Sequence, residues 1–136
     1  MANALYDLGR QAFLEGAIAY LTDTIKVALV KNTYTPNTST HQYYSDLTPA
    51  SNVIGTPQTL GSKSSTNGVA NASNVTFSSV TSGSTVSYLA IYKDTGVTST
   101  SPLIALIDTA TGLPVATNGG DITVSWDTGA NKIFKL

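Results

Sequence analysis

TVSYLAIY at residues 85–92 and LIALI at residues 103–107 decide the class of fold. LIALI is a short, continuous apolar run closed by Pro102 and Asp108, which is the pattern of a strand buried on both faces. TVSYLAIY alternates less cleanly and reads the same way. Working outward, NVTFSSV at 74–80 alternates Val75 and Phe77 against Thr76 and Ser78. DITVSWD at 121–127 puts Ile122, Val124 and Trp126 inward. TIKVALVK at 24–31 puts Ile25, Val27 and Leu29 on one face and Lys26 and Ala28 on the other. A weaker strand is expected around Val53 and Ile54, where Pro57 marks an edge. KIFKL at 132–136 reads as a last strand paired back across the Gly-Ala-Asn turn, and GSKSSTNG at 61–68 reads as a flexible turn.

Turn pairs recur at Ser82-Gly83, Thr95-Gly96, Thr111-Gly112, Gly119-Gly120 and Thr128-Gly129. Short strands at this spacing favour an antiparallel β-sandwich or barrel over a βαβ fold. The expectation is a mainly β single domain over residues 1–136. It has about seven strands across 21–136 and a short helical segment within 1–20. The helix is expected over 4–15, where Leu5, Leu8, Ala12 and Phe13 form a stripe, Asn3 caps the start and Gly16 stops the end. Gly9 inside it costs about 1 kcal/mol relative to Ala. Residues 41–46, HQYYSD, read as a helical turn inside a polar loop.

The composition excludes several functions. Net charge is −1 and only 11% of residues are charged, so no basic patch exists for phosphates and no nucleic acid is expected as partner. No apolar run approaches the roughly 18 residues of a membrane helix, so no membrane role is expected. The start, MANALYDLGRQ, shows no basic-then-apolar leader pattern. With no cysteine and a single histidine, His41, neither a thiolate nor a multi-histidine metal site is expected within one chain. Ser and Thr supply 36 of the 136 residues, and such an uncharged, hydroxyl-rich surface suits extracellular or particle-bound life. The sequons at Asn37, Asn71 and Asn74 read as chance in so Ser/Thr-rich a chain.

Asp-Thr-Gly occurs at 94–96 and 127–129. Aspartic proteases use this tripeptide to pair two carboxylates around a water. The turn reading is preferred, because Asp accepts backbone N–H groups and Gly supplies positive φ. Asp108-Thr109-Ala110-Thr111-Gly112 repeats the same chemistry, and only seven residues follow Gly129. Asp121 lacks the alternating acidic ligands of a calcium loop. His41 and Asp46 lack the G-x-S-x-G elbow that would expose a serine nucleophile. No phosphate-binding glycine motif is present. No catalytic residue, cofactor or metal is therefore expected. Tyrosines outnumber phenylalanines seven to three, and Tyr34, Tyr43 and Tyr44 fall in the loop-rich part, where an interface explains them as well as a core does.

NALYDLGRQAFLEGAI followed by DTIKVALV, together with the closing YKDTG and SPLIALIDTATGLPVATNGGDITVSWDTGANKIFKL, resembles small virion structural proteins of tailed bacteriophages. The resemblance covers both ends of the chain, and residues 32–82 contribute nothing to it. It implies a non-enzymatic capsid decoration, or cement, protein, placed in the virion after assembly in the host cytoplasm. The major capsid protein is then the partner, and the working form is a homo-oligomer for which a trimer suits local symmetry points. Contacts are expected from residues 2–20 and the 32–47 loop, through Leu5, Tyr6, Arg10, Phe13, Tyr34, His41, Tyr43 and Tyr44. The alternative is a tail or head-fibre component that binds a host glycan through Tyr34, Tyr43, Tyr44 or Trp126. The inward alternation of Trp126 favours the first reading.

Overall fold

The computed structural model describes residues 4–108, 113–126 and 132–135. In chain order the elements are β1 (Ala4–Leu5), α1 (Asp7–Leu14), β2 (Ile25–Lys31), α2 (Pro49–Asn52), β3 (Val53–Thr59), β4 (Ser64–Thr66), β5 (Val69–Asn71), β6 (Val75–Phe77), β7 (Thr85–Lys93), β8 (Leu103–Ile107), β9 (Val115–Ala116), β10 (Ile122–Val124) and β11 (Phe134–Lys135). Short 3-10 turns occupy Tyr44–Leu47 and Thr98–Thr100. The protein is mainly β with a short N-terminal helix, as expected. It has eleven strands among the described residues where about seven were expected, because several are only two or three residues long.

All pairings are antiparallel. The main sheet runs β1-β8-β7-β2-β3, with β9 paired to the start of β7. Two small sheets, β10-β6 and β11-β5-β4, complete a sandwich-like arrangement. β3 is an edge strand, as Pro57 required. β11 corrects one expectation: it pairs with β5, Phe134 opposite Ala70, and not with the strand before it, β10, which pairs with β6. The supposed flexible turn at 61–68 is also corrected. Ser64–Thr66 pairs with Val69–Asn71 around Asn67-Gly68, both at positive φ, which is the two-residue turn that matches strand twist.

The main sheet has two buried faces. Ile25, Val27, Leu29, Leu89 and Ile91 pack with Val75, Phe77, Val124, Ala70 and Phe134 of the small sheets in the larger core. The opposite face, with Ala28, Val30, Ala90, Tyr92 and Leu106, is covered by Tyr6, Tyr34, Tyr44 and Leu47. Two-sided burial explains why β7 and β8 read as nearly continuous apolar runs.

A β-bulge in β8 joins this sheet to the N-terminus. Ile91 pairs with Ala105 and Tyr92 with Leu103, so Ile104 is the extra residue. Its carbonyl accepts the Tyr6 N–H at 2.9 Å. β1 pairs with Leu106 and Ala105 just beyond. Because successive strand residues point to opposite sides, Leu5 enters one core and Tyr6 the other. The helix therefore starts at Asp7 rather than residue 4. Tyr6 stands at its N-cap without a side-chain cap, and the expected cap, Asn3, lies outside the described residues. Gly16 ends the helical segment at φ +74 as expected.

Gly9 is the buried residue of α1. A Cβ there would collide with the Leu103 carbonyl oxygen and lie 3.2 Å from the Ile104 Cα. The glycine that looks like a cost to the helix is what lets the helix touch the bulge. On an unhindered helix, Gly→Ala gains about 1 kcal/mol. Gly9→Ala is expected to reverse that sign and destabilise by about 1–3 kcal/mol through overpacking, read as a lower denaturant midpoint at unchanged slope. An unchanged or higher midpoint would show that the contact is not tight.

Candidate functional site

The expected contact residues divide into two groups. Leu5, Tyr6, Tyr34 and Tyr44 are buried, and Tyr6 is 0% exposed. Their side chains belong to the two cores and not to the surface of the single chain. Arg10 is exposed and lies 3.5 Å from Asp7. Phe13, His41 and Tyr43 are partly exposed, with Phe13 leaning on Phe134 at a ring separation of 6.3 Å. Of the two readings open for the loop tyrosines, the core takes Tyr34 and Tyr44, because the 32–47 segment folds over the second face of the main sheet, while Tyr43 stays half-buried.

That segment is fastened by backbone and side chain together. The Leu103 N–H reaches the Gln42 carbonyl and the Tyr44 N–H the Ser101 carbonyl, each at 2.8 Å, while Asp7 N–H donates to the Thr38 carbonyl at 2.9 Å. The Tyr6 and Tyr34 hydroxyls share a 2.9 Å hydrogen bond, and the Tyr34 hydroxyl lies 2.6 Å from His41 Nδ1. Tyr44 stacks on Tyr92 with ring centroids 4.3 Å apart. Burial pushes the Tyr6, Tyr34, Tyr44 and Tyr92 phenols above their ordinary values, so they act here as neutral hydrogen-bonding groups. Asp46 accepts the N–H groups of Gln42 and Tyr43 at 2.7 and 2.9 Å. Burial would raise its carboxyl, but those two N–H groups and nearby His41 outweigh it and hold it low.

The carboxylates that sequence motifs singled out serve turns. Asp94 accepts the Gly96 N–H at 2.9 Å and pairs with Lys26 Nζ at 2.9 Å. Its partner motif at Asp127, and most of the repeat that begins at Asp108, lie outside the described residues. Asp121, just before the start of β10, accepts the Ser79 N–H at 2.9 Å and so ties that start to the end of β6. Among the described residues no three His, Cys, Asp or Glu side chains gather as metal ligands would. Trp126 is buried and its indole N–H donates to the Ser73 carbonyl at 3.0 Å. With Tyr34 and Tyr44 also buried, the aromatic platform imagined for a glycan is not formed by these rings.

Sequence reasoning missed two features. Leu14 and Leu21 are 88% and 53% exposed, two of the three large apolar side chains left in water among the described residues. At Leu21 opens a cavity of about 450 Å³, walled also by Phe13, Tyr20, Ala70 and Phe134. Tyr20 is held there by its hydroxyl, which donates to the Asn71 carbonyl at 2.9 Å, and burial pushes its phenol up to about 12. Leu14 was legible as the apolar residue off the Leu5–Leu8–Ala12 stripe. The cavity was not, since it needs β11 beside β5. No protein-family model matches the chain, and no curated protein matches it.

The Asp94 geometry predicts a pH dependence. Lys26 first, then the Gly96 N–H, lower its carboxyl below the ordinary value. A depressed folded value stabilises the fold above the unfolded value of about 3.9, and the effect disappears as pH falls through the folded value. Asp94→Asn should therefore flatten the loss of thermal stability between about pH 5 and about pH 2. An identical acid limb in the variant would show that the Lys26–Asp94 pair contributes nothing.

Proposed function

We propose that the protein is a non-enzymatic structural component of a bacteriophage virion. It is a capsid decoration, or cement, protein bound outside the assembled head, with the major capsid protein as partner and a homo-oligomer, suited to a trimer, as the working form. The observation that supports this reading best is Leu14. Other described residues of the N-terminal segment are used by the fold, with Leu5 and Tyr6 in the cores and Gly9 on the bulge. Leu14 alone on α1 is a large apolar side chain held almost fully in water. Burying it against a shell stabilises only the assembled state, which is what a cement protein requires. The low charge suits the same role, because few ions need to be desolvated when the surface is covered. The resemblance of the two ends of the chain to virion proteins of tailed bacteriophages supports a phage particle as the setting.

Mass spectrometry of purified parent particles tests the reading. A copy number close to that of the major capsid protein is expected, and a trace amount would point to a tail or fibre part. Leu14→Ser refines the test. Removing a fully buried leucine contact, worth about 1.5–3 kcal/mol, should reduce particle occupancy about tenfold or more. The free protein should keep its thermal midpoint, since the side chain is already in water. Unchanged occupancy would remove Leu14 from the contact.

A further inference from the structure

Exposed strand edges present unpaired N–H and C=O groups, and proteins blunt them with proline, charge, bulges or shortness. β3 carries Pro57 and a register shift opposite Val27 and Leu29. β1 is two residues long, and β11 carries Lys135. β4, Ser64-Ser65-Thr66, is three residues long and carries no proline, charge or bulge. All three residues are exposed, and β5 is its only strand partner among the described residues. The neighbouring Lys63 does not guard it either. Its ammonium donates to the Asp23 carbonyl and sits 5.9 Å from the centre of the Tyr20 ring.

The register shows which groups of β4 face outward. Thr66 and Val69 flank the two-residue turn and form the hydrogen-bonded pair. Ser65 and Ala70 are then a non-bonded pair. In agreement, the Ala70 carbonyl turns the other way and accepts the Ile133 N–H at 3.2 Å. The Ser65 N–H and C=O therefore point away from β5, ready to pair with an added strand.

The two sides of this edge differ in chemistry. Ser65, Ala70 and Phe134 share the side of the 450 Å³ apolar cavity, which Phe13, Tyr20 and Leu21 close. Thr66, Val69 and Lys135 share the other side, in a depression of about 400 Å³, where the exposed Lys135 supplies positive charge. We propose that β4 receives an extended segment of a partner protein, with a large apolar side chain opposite Ser65 and acidic side chains at the flanking positions. Alternation sends the middle side chain into the cavity and its neighbours to the lysine side. A second copy of β4 would put only serine opposite Ser65 and leave the cavity unfilled. The proposal rests on this edge and not on a virion location.

The test titrates the full-length protein with Ac-Thr-Glu-Phe-Glu-Thr-NH2, followed by amide chemical shifts. The expected result is saturable shifts at Ser64–Thr66 and Phe134, with slowed exchange of the Ser65 amide. Methylating the phenylalanine nitrogen of the peptide removes the donor to Ser65 without altering the protein, and should weaken binding at least tenfold. Replacing both glutamates by lysine should weaken it at least fivefold. No shifts at β4, or equal binding of the N-methylated peptide, would overturn the proposal. So would concentration-dependent self-association through β4 that excludes the peptide.

Discussion

The carbonyl oxygen of Leu103 occupies the space that a side chain at residue 9 would need. Much of the architecture follows from that approach. The bulge at Ile104 turns one carbonyl toward Gly9 and the next toward the Tyr6 N–H, so the N-terminal segment is stitched to the edge of β8. Leu5 and Tyr6, adjacent in sequence, then serve opposite faces of the same sheet. A sheet with two apolar faces needs two covers. The small sheets supply one. The other is a long polar loop that contributes Tyr34 and Tyr44, whose rings fill space while the Tyr34 hydroxyl bonds to that of Tyr6 and to His41.

Charge is scarce and is placed where strands begin and end. Lys26 pairs with Asp94, and Lys93 pairs with Asp23 at 3.1 Å. Both pairs are about a quarter exposed, so each contributes modestly to stability and mainly fixes the ends of β2 and β7. The remaining surface is largely hydroxyl and amide. Such a surface can be covered in an assembly with little ion desolvation, and it leaves the few exposed leucines as the natural anchors.

How much of this was legible follows from the range of each contact. β7 and β8 announced themselves because two-sided burial writes continuous apolar runs such as LIALI. The faces of β2 were equally plain from Ile25, Val27 and Leu29. The helix was visible, but its start was not: Leu5 fits the helical stripe and yet pairs with Ala105, a partner far along the chain. The hairpin at 64–71 left no hydrophobic pattern because β4 buries nothing. Tyr34 and Tyr44 looked like loop residues because nothing local shows that the loop crosses the second face of the sheet. The edge of β4 and its cavity depend on β11 lying beside β5, a pairing that local sequence does not encode.

The central claim is that the N-terminal segment belongs to the cooperative fold and is not a free arm. Native-state hydrogen exchange of the Tyr6 amide, which donates to the Ile104 carbonyl, tests this most directly. If the claim holds, Tyr6 exchanges with the same opening free energy as the amides of Leu89 and Ala90 in β7, the free energy of global unfolding. Exchange of Tyr6 at a much lower opening energy, while β7 stays protected, would contradict it.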